Sequence, residues 1–156
     1  HRGRMMSIYA DTNFITRLYL ERPETAQAES VFGAELPVLP IIWLTRLEVI
    51  NAFEQSVLTG FGEAQARFSA ELAAACQQQF RDDLSQGVAM RLVSISQAEV
   101  SAKFEEIALR HTARHGFRAY DILHVASALI LGCRSFWSFD KKACQLAKLE
   151  GLKVIK

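Results

Sequence analysis

Cysteine is scarce in this chain: Cys76, Cys133 and Cys144 are the three in 156 residues. Odd in number and widely spaced, they form neither a disulfide framework nor a zinc pattern, which fits a reducing compartment. No apolar stretch approaches the length of a membrane span. No signal-peptide segment follows the start either, and the expected location is cytoplasmic, without a membrane role. A strong net charge is also missing. At +1 the chain is no polycation, so any contact with an anionic polymer must come from a local patch. Residues 1–5 read as a leftover of expression, and 6–156 as a single domain long enough to bury a proper core.

Aspartate is nearly as rare, with five in the chain, and three of them close short apolar runs where a helix can begin. These are Asp11 (in Ser-Ile-Tyr-Ala-Asp-Thr-Asn), Asp121 (in Phe-Arg-Ala-Tyr-Asp-Ile-Leu-His) and Asp140 (in Ser-Phe-Trp-Ser-Phe-Asp-Lys-Lys). A carboxylate among Tyr, Phe, Trp and Ile is poorly solvated, and burying it ionised is costly without compensation. Cations compensate best. Carboxylates drawn from distant parts of a chain, with little Cys or His, suit a hard ion such as Mg²⁺ or Mn²⁺. Each acid also has a plainer role, since Asp is a favoured N-cap and complements the positive end of a helix. Glu48, in Thr45-Arg-Leu-Glu48, likewise fits a capping box. Capping does not require apolar flanks at every site. Asp82 and Asp83 read as solvated surface.

Short apolar strands are expected at Ser7–Ala10, Val38–Leu39, Arg91–Ile95, Phe136–Phe139 and Lys153–Ile155. Between them, helices are expected over Asn13–Leu20, Glu24–Phe32, Leu44–Thr59, from about Glu63 to Leu84, Gln97–His115, Ala119–Leu131 and Lys141–Leu149. Such alternation indicates an α/β fold with a mainly parallel sheet. Ligands bind at the carboxyl edge of such sheets, where Asp11 and Asp140 follow strands. In the Leu44–Thr59 helix the apolar stripe is Leu47, Ile50, Phe53, Val57 and Leu58, with Glu48 opposite it. Glu54 projects into that stripe and ranks below Glu48. It reads as a boundary residue paired with an Arg, or as a supporting or partner-facing acid.

Four local motifs together resemble the PIN-domain nucleases, and within them the VapC-like toxins of toxin–antitoxin pairs. They are Asp11-Thr12-Asn13, Thr45-x-x-Glu48, Asp121-x-x-His124-x-Ala126-x-Ala128, and Ser138-x-Asp140 followed by Leu146-Ala147. Their order and spacing match across Ser7–Ile155. Ser138 stands where Thr is commoner, and Ala143 or Cys144 where a Phe is frequent. The resemblance implies a three-layer α/β/α sandwich with Asp11, Glu48, Asp121 and Asp140 around one or two Mg²⁺ or Mn²⁺ ions. Asn13 and Ser138 would orient the acids, Thr45 would support Glu48, and the reaction would be RNA phosphodiester hydrolysis. It further implies a small cognate antitoxin, a homodimer, and an RNA substrate (tRNA, rRNA or mRNA). In the family the long fourth-helix hairpin clasps the antitoxin, although core packing and a Phe68–Leu72–Cys76–Phe80–Leu84 ladder account for that helix too.

His124 shares a helix face with Asp121 and reads as a structural histidine bonded to a carboxylate or carbonyl rather than as a ligand. His111 and His115 have zinc-pair spacing but lack the Glu of His-Glu-x-x-His. Lys103, Arg110, Arg114 and Arg118 form a basic face, solvated by default or an RNA track beside Asp121. Lys141 and Lys142 flank Asp140 at the rim. A haloacid-dehalogenase-type phosphatase also places an Asp after its first strand, but its second Asp would fall at Asn13. A silent PIN scaffold that only binds would share these motifs, as would a PIN-like nuclease acting on DNA or without an antitoxin.

Overall fold

In the computed structural model, residues 6–60 and 68–155 are described. In chain order the elements are β1 (Ile8–Ala10), α1 (Thr12–Arg17), α2 (Thr25–Glu35), β2 (Leu39–Ile41), α3 (Trp43–Thr59), α4 (Ala70–Gln86), β3 (Met90–Leu92), α5 (Gln97–His115), α6 (Ala119–Ile130), β4 (Ser135–Trp137), α7 (Lys141–Leu149) and β5 (Lys153–Val154). The chain falls into two compact units, one made of the residues up to Asp11 with those from Ser94 onward, the other of Thr12–Val93.

In the first unit β4 lies between β1 and β5, and both pairings are parallel. The register Ile8↔Ser135, Ala10↔Trp137 aligns the carboxyl ends of β1 and β4. Three residues suffice for β1 and for β4 because the last two of each are buried apolar side chains. Tyr9 and Phe136 stack at 5.7 Å, fully buried. Seven of the twelve α6 residues are buried, which marks it as an interior helix. Its Ile122, Val125, Ala126 and Ala128 join Leu146 and Ala147 of α7 and Ile107 of α5 in one core. Local chemistry sets the bounds of α5. Ser96 Oγ accepts from the Glu99 N–H at 3.2 Å, and Gly116 supplies the left-handed residue that ends the helix, at φ 76°.

The second unit pairs β2 with β3, also in parallel, with Leu39 opposite Met90. Its aromatic centre is Tyr19, Phe53 and Phe80, packed edge to face at 5.7–6.2 Å. Several expectations need correction here. The buried side of α3 is Thr45, Val49, Phe53 and Ser56. Of the expected stripe, Phe53 is buried and Ile50 half-buried, whereas Leu47, Val57 and Leu58 are exposed, Leu58 at 85%. α4 starts at Ala70, because Ser69 Oγ accepts from the Leu72 N–H and caps it there; residues 63–67 of the expected helix lie outside the described residues. Asp83 is not simply solvated. It accepts a hydrogen bond from Tyr19 Oη, and burial together with that carboxylate pushes the Tyr19 phenol well above its ordinary pKa. Glu54, expected beside an Arg or as a supporting or partner-facing acid, accepts from Gln77 Nε2 at 3.2 Å.

Candidate active site

The parallel register of β1 and β4 continues one rung past Ala10, where the Asp11 N–H donates to the Trp137 carbonyl at 3.0 Å. Asp11 therefore leaves the sheet at the same edge as Ser138. Ser138, buried, accepts from the Asp140 N–H through Oγ at 3.0 Å, which fixes the turn that brings Asp140 to the start of α7. Asp140 then caps α7, its Oδ1 accepting from the Lys142 N–H at 3.0 Å. Asp121 arrives from another direction, in the first turn of α6.

One side chain ties two of these acids together. The Arg118 guanidinium spans two carboxylates, with its Nη2 3.4 Å from Asp140 Oδ2 and its Nε 3.7 Å from Asp121 Oδ2. The Cys144 thiol is pushed up first by burial and then by the negative charges of both Asp11 and Asp140. Asp11 and Asp121 are each only 6% exposed, so both carry the desolvation cost that invites a cation.

The donor chemistry fits a hard divalent ion, since it consists of oxygen ligands with a cationic group already across two of them. Among the described residues no three His, Cys, Asp or Glu side chains form a ready-made cage. Magnesium does not demand one. It is commonly held by one or two carboxylates, water and substrate phosphate.

Glu48 belongs to the second unit. Its Oε1 accepts from Thr12 Oγ1 at 2.7 Å, and Thr12 is the residue that follows Asp11 in the chain. Thr45, one turn earlier on α3, is fully buried. The Asn13 carbonyl accepts from Thr16 Oγ1 at 3.2 Å, pinning the first turn of α1.

His124 is buried, and its Nδ1 lies 2.7 Å from Tyr9 Oη. That pairing supports the structural reading and makes a phenol one of the partners of the ring. The zinc-like spacing of His111 and His115 is absorbed differently. His111 Nε2 lies 2.6 Å from Glu150 Oε2, and His115 Nδ1 lies 3.4 Å from Gln145 Nε2. The basic face divides as well. Lys103 pairs with Glu106, and Arg110 with Glu106 and Glu150, while Arg114 is exposed. Lys142 Nζ donates to the His115 carbonyl at 2.6 Å and sits 5.4 Å over the Phe117 ring. Lys141 instead lines a groove of ≈ 440 Å³ with Cys144, Gln145, Lys148 and Leu149.

Burial pushes the Cys133 thiol up to about 12, so neither it nor Cys144 is poised as a nucleophile. Sequence reasoning missed the Thr12–Glu48 bond, the Tyr9–His124 pair and the reach of Arg118 to Asp140. The first carried a signal, because Thr12 lies inside the Asp-Thr-Asn motif.

The sequence profile of the PIN domain matches residues 8–149. Three solved structures share the fold. VapC20 of Mycobacterium tuberculosis, described as a Sarcin-Ricin loop cleaving toxin, is 16% identical at a TM-score of 0.64, covering 89% of this chain and 94% of its own. PAE2754 of Pyrobaculum aerophilum is 17% identical at a TM-score of 0.56, covering 96% and 83%. FitAcB of Neisseria gonorrhoeae is 15% identical at 0.54, covering 96% of each chain. A comparison with curated proteins found no significant match. The α/β class with parallel strands, expected from the sequence, is borne out.

Proposed function

The chain belongs to the PIN-domain family, and from that premise we propose that it is a metal-dependent endoribonuclease, the toxin of a toxin–antitoxin pair. The observation that carries the chemistry is the convergence of Asp121 and Asp140 on one guanidinium, with Asp11 at the same sheet edge. Asp11, Asp121 and Asp140 would hold Mg²⁺ or Mn²⁺, and Glu48 is the fourth acid that the family resemblance adds to them. A bound ion of this kind polarises a phosphoryl oxygen and makes water a nucleophile at neutral pH. The protein's own contribution is placement. Ser138 fixes the Asp140 backbone, the α7 cap fixes its Oδ1, and the sheet ladder fixes Asp11. Lys141 at the rim and Arg114 on α5 would meet the phosphates that flank the cleaved bond. His124, held by Tyr9, would brace the helix that carries Asp121.

The toxin reading draws support from α3. Trp43, Leu47 and Leu58 are 62%, 47% and 85% exposed and recur along one side of the helix. An apolar stripe open to water fits an amphipathic antitoxin segment or a second copy of the chain. No helix among the described residues is long and apolar enough to cross a membrane, and the cytoplasm, where RNA and antitoxin reside, is the proposed location.

Cleavage of a single-stranded oligoribonucleotide should require Mg²⁺ or Mn²⁺, stop with EDTA and resume when the metal is restored. Expression of the chain alone should arrest growth, and co-expression of an adjoining small gene should relieve it. Cleavage indifferent to EDTA would remove the metal-nuclease reading, and harmless expression would remove the toxin reading.

A further inference from the structure

We propose that Arg118 is the resident counter-cation of the acidic site, competing with the divalent ion for Asp121 and Asp140 and turning to the substrate phosphate once displaced. This rests on the metal-nuclease reading above. Arg118 is the N-cap residue of α6, a position that favours Asp, Asn, Ser or Thr. A cation there also opposes the positive end of the helix dipole. As a cap, then, Arg is misplaced. The two carboxylates that it spans explain why it sits there.

Its hold on them is loose. The separations of 3.4 and 3.7 Å exceed the roughly 2.7–2.9 Å of a tight charge-assisted hydrogen bond. The Arg118 side chain is 74% exposed, so little packing keeps it in place. It offsets the charge of a nearly buried Asp121 without locking the site. An ion that needs the same oxygens binds only to molecules from which Arg118 has withdrawn, and its apparent affinity is reduced accordingly. Once withdrawn, the guanidinium keeps a planar donor fork suited to phosphate oxygens. Lys142 is the contrasting case. It also neighbours Asp140, but its ammonium is tied to the His115 carbonyl and the Phe117 ring.

Calorimetric titration of the full chain with Mn²⁺, before any RNA is added, tests this. Exposed ion pairs of this kind support a change of about three- to tenfold. Arg118→Gln should therefore bind Mn²⁺ about three- to tenfold more tightly than the wild type, with Arg118→Lys between them. Lys142→Gln, which removes an equal charge nearby, should stay within about twofold. At saturating Mn²⁺ the order should reverse, and Arg118→Gln should bind and cleave the oligoribonucleotide less well. Unchanged or weaker Mn²⁺ binding by Arg118→Gln, or an equal gain from Lys142→Gln, would overturn the competition. A wild-type chain that takes up no Mn²⁺ would overturn the nuclease reading instead.

Discussion

Asp11→Asn should lower RNA cleavage by about three orders of magnitude while leaving the fold intact. The amide keeps the shape of the carboxylate, and the backbone N–H that bonds Trp137 is untouched. What disappears is one negative charge from a nearly buried position where a cation is to be held. Metal-centred charge stabilisation is worth several kcal/mol, and about 4 kcal/mol corresponds to about a thousandfold in rate. Without metal the variant should melt close to the wild type, because the amide fills the same space and the charge it removes is one whose burial is itself costly. Single-turnover cleavage and a thermal melt on one preparation check both halves. Undiminished cleavage in material free of contaminating ribonuclease would contradict the assignment.

The second large effect concerns stability. Phe136→Ala should cost about 3–5 kcal/mol and lower the melting temperature by roughly 10 °C for a chain of this size. Phe136 lies on the central strand of the three-stranded sheet, fully buried, with its ring stacked on Tyr9. Its removal opens a cavity between elements that carry Asp11 and Asp140. Leu58→Ala is the counter-case. That side chain is 85% exposed, so the change should stay within about 0.5 kcal/mol while weakening antitoxin binding or self-association. A large stability loss at Leu58, or none at Phe136, would mean that the core is placed wrongly.

The contrast between these residues shows what could be read from sequence. The bounds of α5 and α7 matched expectation to the residue, because Ser96, Gly116 and the capping Asp140 act locally. The apolar residues of α3 were visible, but not that Phe53 would be buried while Leu47, Val57 and Leu58 stay exposed. Periodicity separates two sides of a helix without saying which one the rest of the chain covers. Here the covered side includes Thr45 and Ser56. Ser56 is tolerated inside because its hydroxyl donates to the Ala52 carbonyl and accepts from Arg22. The start of α4 was missed because the apolar ladder ran through Phe68 past a capping serine. The pairs Tyr19–Asp83 and Tyr9–His124 join residues 64 and 115 positions apart, beyond the reach of any local pattern. For the site, the motifs pointed to the acids, and the strand register adds why Asp11 and Ser138 leave one edge together. No motif pointed from Arg118 to Asp140, because that contact depends on how α6 and α7 begin.

The most direct test of the metal-nuclease account is anomalous scattering from crystals of the full chain soaked in Mn²⁺. The expected result is a strong peak ligated by Asp121 and Asp140, within reach of Asp11, with the Arg118 side chain turned away from both carboxylates. Crystals that show no peak there at saturating Mn²⁺, with Arg118 still spanning Asp121 and Asp140, would contradict it.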